Sequence, residues 1–238
     1  MSLVEGSTPH ADARFEPQPS RRSLLKWTSA AAVTAVVLGV ELNLSAAYAQ
    51  RGAAMAGAGV DLGSGDFAVL NYAYALEQLE AAYYTQVLER PYRGMNAYEQ
   101  GVLTDLRDHE IAHREFFRGA LGSNAIPDLQ VDFSRVNFGN RQSVLTTART
   151  FEDLGVSAYN GAGQLLQNPQ FLAAAGTIVS VEARHAAILR DILSPLSTAF
   201  AGNDVVDGAG LDVARVPSQV LPKAAPFILT PVSASQLP

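Results

Sequence analysis

The stretch Asp108-His109-Glu110-Ile111-Ala112-His113-Arg114 and its later counterpart Val181-Glu182-Ala183-Arg184-His185 each place a glutamate three residues before a histidine. Positions i and i+3 share one face of an α-helix, so each pair presents a carboxylate beside an imidazole. Chance alone gives a particular histidine a glutamate at that offset about 4% of the time, so two of the three histidines beyond His10 is roughly a half-percent coincidence. The pairs therefore mark two helices that face a common centre.

The segments around them have helical period. Asp66 to about Glu89 contains no Pro or Gly, and Phe67, Leu70, Tyr74, Leu76, Tyr84 and Leu88 recur at helix-compatible spacing. A second segment opens at Asn96 with Glu99 three residues on, a capping-box pattern, and runs through Leu103, Leu106, Ile111 and Phe117 to Gly119 or Gly122. A third extends from about Asn140 to Leu166. The fourth begins at Asn168-Pro169, an N-cap followed by proline at the first helical position, and reaches the Ser194-Pro195 break. Four long helices of matched length predict an all-α four-helix bundle. The connection from second to third, Ser123 to Gly139, is much longer than the others, so one long crossover joins the two halves. Residues 66–200 form the bundle in this reading. Residues 201–238, with Pro217, Pro222, Pro226 and Pro231, form a mostly non-helical tail whose Phe227, Ile228 and Leu229 lie along it.

The first and third helices must each supply a carboxylate to complete a four-glutamate, two-histidine set. Glu152 is the only glutamate on the third helix, while the first offers Glu77 and Glu80. Internal repetition selects Glu77: Tyr84 follows it by seven residues as Tyr159 follows Glu152, and no other glutamate beyond residue 49 has tyrosine at that offset. Each half of the chain thus carries Glu-x6-Tyr and then Glu-x-x-His, as a duplicated helix pair would. The residues so selected are Glu77, Glu110, His113, Glu152, Glu182 and His185. Tyr84 and Tyr159 have two open roles, core packing with a satisfied hydroxyl, or contact with the selected carboxylates or a redox part beside them. Glu80 is read as a surface partner for an arginine or a neighbour of the ligands. His109 lies about 100° around the helix from Glu110 and is expected in solvent or against the tail. Gly155, Gly161 and Gly163, unfavourable in a helix, are expected where helices approach closely.

These residues resemble the ferritin-like di-metal carboxylate proteins, in which a glutamate from each of two helices and Glu-x-x-His from each of the other two hold a dinuclear centre. The wording of residues 70–84, Leu-Asn-Tyr-Ala-Tyr-Ala-Leu-Glu-Gln-Leu-Glu-Ala-Ala-Tyr-Tyr, and of 152–162, Glu-Asp-Leu-Gly-Val-Ser-Ala-Tyr-Asn-Gly-Ala, is similar to exported ferritin-like domain proteins related to plant desiccation-related proteins. The resemblance spans about residues 60–230. It implies that Glu110 and Glu182 bridge two metals, Glu77 and Glu152 are terminal, and His113 and His185 each bind one metal. Four glutamates balance two divalent ions, leaving a bundle core without net charge. Oxygen and nitrogen ligands suit iron or manganese, and zinc also binds such sets. A reaction with peroxide, dioxygen or ferrous iron is the expected activity, and a small-molecule oxidant the expected partner. The alternative is a structural or stress-protection bundle whose metals only stabilise the fold.

Composition restricts the remaining classes. The chain has 238 residues, 48% of them hydrophobic, a net charge of −6 and no cysteine. Lys26 and Lys223 are the only lysines, so no basic surface exists for nucleic acid, and thiol chemistry is absent. Near the N-terminus, Ser20-Arg21-Arg22-Ser23-Leu24-Leu25-Lys26 precedes the uncharged run Trp27–Val40 and the small-x-small site Ala47-Tyr48-Ala49. Residues 1–49 resemble a twin-arginine export signal, and the uncharged run is shorter than the roughly 20 residues a spanning helix needs. Export to the periplasm or outside the cell, without a stable anchor after cleavage, is expected. Residues 50–65, rich in Gly and Ala, are read as a flexible lead-in.

Overall fold

The computed structural model describes residues 59–238. The export signal expected in residues 1–49, and the lead-in up to residue 58, lie outside the described residues.

Four long helices carry the fold: α1 (Gly65–Glu89), α2 (Ala97–Leu121), α3 (Arg141–Ala162) and α4 (Pro169–Leu193). Their starts are set by side chains that satisfy orphan backbone N–H groups. Asn96 accepts from the Glu99 N–H at 2.8 Å, and the Glu99 carboxylate accepts in return from the Asn96 N–H, closing the expected capping box. Asn140 accepts from Ser143 and Asn168 from Gln170, each at 2.9 Å, with Pro169 at the first position of α4. Asp66 caps at a distance, its carboxylate accepting from the backbone N–H groups of Gln167 and Asn168 just ahead of α4. α1 packs along α2 and α3 along α4, and the pairs meet through α1 against α3 and α2 against α4. The all-α bundle with a single long crossover is the observed fold. α4 is also long and apolar enough by length and composition to cross a membrane, yet it turns Ile178, Glu182, His185 and Leu189 into the bundle.

α1 is buried on nearly every side, which explains its weak amphipathic pattern. The crossover lies against it and satisfies its polar residues. Asn71 donates to the carbonyls of Leu62 and Asn124 and accepts from the Ile126 N–H, and the Gln78 carbonyl accepts from the Leu129 N–H at 2.7 Å. Phe133 and Phe138 reach in to the Tyr83 ring, whose hydroxyl donates to the Val144 carbonyl at 2.7 Å.

The final part of the lead-in differs from the flexible reading of residues 50–65. Val60 and Leu62 are buried, and β1 (Val60–Asp61) pairs in parallel with β2 (Val232–Ser233), joining the two ends of the described chain. Pairing supplies partners for backbone groups that a Gly- and Ala-rich composition does not announce.

The tail runs close along the bundle. Buried Arg190 on α4 holds Asp153 of α3 and Asp204 of the tail through paired contacts of 2.8–3.1 Å, and also donates to the Ala199 carbonyl. Further on, the Arg215 N–H donates to the Ser157 carbonyl at 2.9 Å, and Asn160 donates to the Val213 carbonyl. A short helix, α5 (Pro217–Ala224), buries Val220 and Ala224, and the proline content keeps it to eight residues. Phe227 then packs edge-on to Phe151, ring centroids 4.8 Å apart, beside backbone pairing with the crossover at Asp132 and Gln130.

Two glycine expectations are corrected by this packing. A Cβ at Gly155 would lie 3.3 Å from a Glu80 carboxylate oxygen, so this glycine makes room for an acid. At Gly161 the close neighbour is the tail: a Cβ there would meet the Arg215 carbonyl oxygen at 1.9 Å.

Candidate metal centre

On all four helices the chemistry-bearing residues occupy the inward stripe that apolar residues would otherwise fill. In α1 the stripe reads Leu70, Ala73, Glu77, Glu80, Tyr84, Val87; in α3 it reads Leu145, Ala148, Glu152, Gly155, Tyr159. In α2 it passes through Leu103, Leu106, Glu110 and Phe117, and in α4 through Ile178, Glu182, His185, Leu189 and Ile192. Alternating steps of three and four hold these residues on one face, so ordinary bundle packing brings them together.

Glu77, Glu110, Glu152 and Glu182 are all fully buried. Their oxygens and the Nδ1 atoms of the two histidines form two overlapping groups, Glu77–Glu110–His113–Glu182 and Glu110–Glu152–Glu182–His185, with ligand atoms within 4.8 Å of one another. Glu110 and Glu182 belong to both. Each histidine sits nearest the glutamate of the opposite pair: His113 Nδ1 is 2.8 Å from Glu182 Oε1, and His185 Nδ1 is 2.8 Å from Glu110 Oε1. Nδ1 of His113 lies 3.5 Å from Glu77 and Nδ1 of His185 3.3 Å from Glu152. The structure thus brings all six sequence-selected residues to one centre with approximate two-fold symmetry.

The tyrosines obey that symmetry. Tyr84 donates to Glu152 Oε1 at 2.5 Å, and Tyr159 donates to Glu77 Oε1, so each half's tyrosine holds the other half's outer glutamate. Burial pushes both phenols well above their ordinary range, and the neighbouring carboxylates add to this, so both stay protonated donors. Of the two roles open to them, contact with the ligand carboxylates is the observed one.

Glu80 is corrected. It is buried at 3% exposure, without the arginine partner expected for a surface residue, because Gly155 leaves space for its carboxylate inside the bundle. Burial and the charges of Glu152, Glu110, Glu182 and Glu77 push its carboxyl well up. His109 is corrected as well. Its Nδ1 lies 2.9 Å from His185 Nε2, and the two rings meet edge to edge, centroids 5.2 Å apart and planes 6° from parallel. The His109–His113 spacing of four residues, one helical turn, was the sequence signal that His109 shares a face with a ligand.

The donor set fits divalent metal ions. Glu77 Oε2, both oxygens of Glu110 and of Glu182, Glu152 Oε2 and Nδ1 of His113 and His185 are buried without a hydrogen-bond partner, although they crowd one another. Eight orphaned donor atoms converging on one volume are costly unless something charged binds them. Four carboxylates with two neutral imidazoles neutralise two dications, and oxygen and nitrogen donors suit hard and borderline ions.

Without metal, protons must do that neutralising. Burial opposes charge on the imidazoles, but the surrounding carboxylates prevail: His113 is pushed up to about 12 and His185 is raised strongly. Burial and like charge push Glu110 well up, and burial raises Glu152 to about 7 against the pull of His185. Glu182 moves the other way. Burial would raise it, but the two imidazoles close beside it, His113 and His185, lower it to about 2. Groups with raised folded values stabilise the fold below their unfolded value and lose that contribution as pH climbs, whereas Glu182 contributes above about pH 4.5 and loses it toward pH 2. The metal-free bundle is therefore expected to lose stability from about pH 5 upward, by about 1.4 kcal/mol per pH unit for each proton held in excess of the unfolded chain. Melting temperatures of chelator-treated protein between pH 4 and 9 check this; a rise across that range would contradict it.

Two helix pairs joined by one long crossover and an inward Glu-plus-Glu-x-x-His set repeated in both halves define a bundle of the ferritin-like class. The family model described as "Ferritin-like domain" matches residues 65–195, more than half of the chain, and the protein belongs to that family. No curated protein matches the chain.

Proposed function

We propose that this is an exported ferritin-like protein that holds two iron or manganese ions and reacts with peroxide, dioxygen or ferrous iron under oxidative or desiccation stress. The observation that carries the reading is the convergence of eight unpartnered ligand atoms from Glu77, Glu110, His113, Glu152, Glu182 and His185, each of which belongs to one or both of two overlapping ligand groups. Glu110 and Glu182, common to both groups, are the bridging candidates; Glu77 with His113 and Glu152 with His185 hold the outer positions.

When bound, a pair of redox-active ions supplies two one-electron oxidations, the number that reduction of one hydrogen peroxide to two waters consumes. The chain supplies the rest. Tyr84 and Tyr159 fix one oxygen of Glu152 and of Glu77, leaving the other oxygen of each turned to the centre. The apolar residues above and below the ligands on each helix stripe exclude bulk water, and so strengthen the electrostatic grip of the carboxylates. His113 is the ligand closest to solvent, its side chain 12% exposed against 4% for His185, so access for a small oxidant runs past His113. Residues 1–49 supply the export signal in this reading, with a periplasmic or extracellular destination.

A structural reading competes, favoured by the complete burial of all four glutamates. Stopped-flow absorbance separates the two. Anaerobically Fe²⁺-loaded protein mixed with hydrogen peroxide is expected to develop a new absorption band within seconds. A fully loaded protein that stays silent toward both peroxide and dioxygen would leave the metals a purely structural role.

A further inference from the structure

The two halves of the centre match in their glutamates and tyrosines but differ at their histidines. His185 Nε2 faces His109 Nδ1 at 2.9 Å with the two rings edge to edge and nearly coplanar, whereas the second ring nitrogen of His113 makes no hydrogen bond among the described residues. An imidazole that offers its Nδ1 lone pair to a metal carries its proton on Nε2. Such a proton needs an acceptor, and the one in place is His109 Nδ1, whose own proton then sits on Nε2. The two nitrogens already stand 2.9 Å apart while His185 Nδ1 lies 2.8 Å from Glu110 Oε1, so the ring need not turn for Nδ1 to face the centre.

We propose that His109 is a positioning residue for His185, fixing its tautomer and ring orientation so that the metal position on the His185 side is held more tightly and fills first, while the His113 side exchanges. This rests on the dinuclear reading of the centre. The burial agrees with it: His185 is enclosed, and His113, which has no such partner among the described residues, is the more open of the two. A hydrogen bond to the remote nitrogen of a ligating histidine typically contributes 10–100-fold in metal affinity, enough to separate two otherwise similar positions.

Calorimetric titration of Zn²⁺ into metal-free protein tests this, with zinc chosen because it is redox-inert and diamagnetic. Wild type is expected to take up two ions in two resolved steps. In His109→Phe, which keeps a flat ring but has no acceptor, the tighter step is expected to weaken about 10–100-fold and the weaker step to stay within about threefold. His109→Gln, which retains an acceptor oxygen, is expected to recover most of the loss. In ¹H–¹⁵N spectra of zinc-loaded protein, the slowly exchanging His185 Nε2 proton should be present in wild type and His109→Gln and absent in His109→Phe. Unchanged affinities in His109→Phe would overturn the proposal and leave the dinuclear reading intact, as would equal weakening of both steps with no rescue by glutamine. Failure of wild type to bind zinc would overturn both.

Discussion

Loading the metal-free protein with Mn²⁺ at pH 7.5 is expected to raise its melting temperature by roughly 15–30 °C. The size comes from linkage: an ion at a thousandfold excess over its dissociation constant adds about 4 kcal/mol per position, and each kcal/mol shifts the melting of a domain this long by about 2–4 °C. Metal also relieves the like-charge crowding of Glu77, Glu110, Glu152 and Glu182, all fully buried. Glu110→Gln is expected to lose most of the gain, because Glu110 belongs to both ligand groups. Its metal-free form should melt above metal-free wild type at the same pH, since burial and neighbouring carboxylates make this acid costly to ionise and the amide removes that cost. The combination, higher without metal and lower with it, distinguishes a buried ligand from a surface ion pair, for which both changes would fall within about 1 kcal/mol. Differential scanning calorimetry with and without Mn²⁺ reads both.

The second large effect lies away from the centre. Gly161→Ala places a methyl group 1.9 Å from the Arg215 carbonyl oxygen and 2.8 Å from its nitrogen, both backbone atoms that no rotamer change can move. In an ordinary helix interior this substitution stabilises by about 1 kcal/mol. Here it is expected to cost about 3 kcal/mol instead, through overpacking and loss of the Arg215-to-Ser157 and Asn160-to-Val213 hydrogen bonds. The melting temperature should fall by roughly 6–12 °C, with faster proteolytic cleavage between residues 202 and 216. Gly176→Ala on α4, where a Cβ meets nothing within 4 Å, is the matched control and should be neutral or stabilising. A Gly161→Ala protein as stable and as protease-resistant as wild type would contradict the packing of the tail on α3.

The bundle was legible because its signals are local. The capping residues Asn96 with Glu99, Asn140, and Asn168 with Pro169 each act within one turn, and helical period marks the segments they open. The convergence of the six candidate residues was legible for a different reason: Glu-x-x-His and Glu-x6-Tyr recur in both halves, so duplication singled out Glu77 where periodicity alone left Glu77 and Glu80 equal. Glu80 was left between a surface and an interior place because a buried acid goes against composition rules, and the space that admits it is created by Gly155 on another helix. His109 was misplaced because its contact is to His185, a pairing that exists only once α2 and α4 are docked. The same holds for Arg190, whose partners Asp153 and Asp204 come from α3 and the tail, and for Val60 and Leu62, whose burial depends on pairing with Val232 near the other end of the chain. Contacts between distant segments leave no period in the sequence, and these are where the reading and the structure part.

The central claim is that the bundle encloses two metal ions held by these six side chains. Anomalous diffraction from crystals of the protein equilibrated with Mn²⁺, collected on both sides of the manganese absorption edge, addresses it directly. The expected map has two peaks about 3.5–4 Å apart, one beside Nδ1 of His113 and Glu77, the other beside Nδ1 of His185 and Glu152, with Glu110 and Glu182 reaching both. A map with no anomalous peak inside the bundle, or with peaks only at surface carboxylates, would contradict the account.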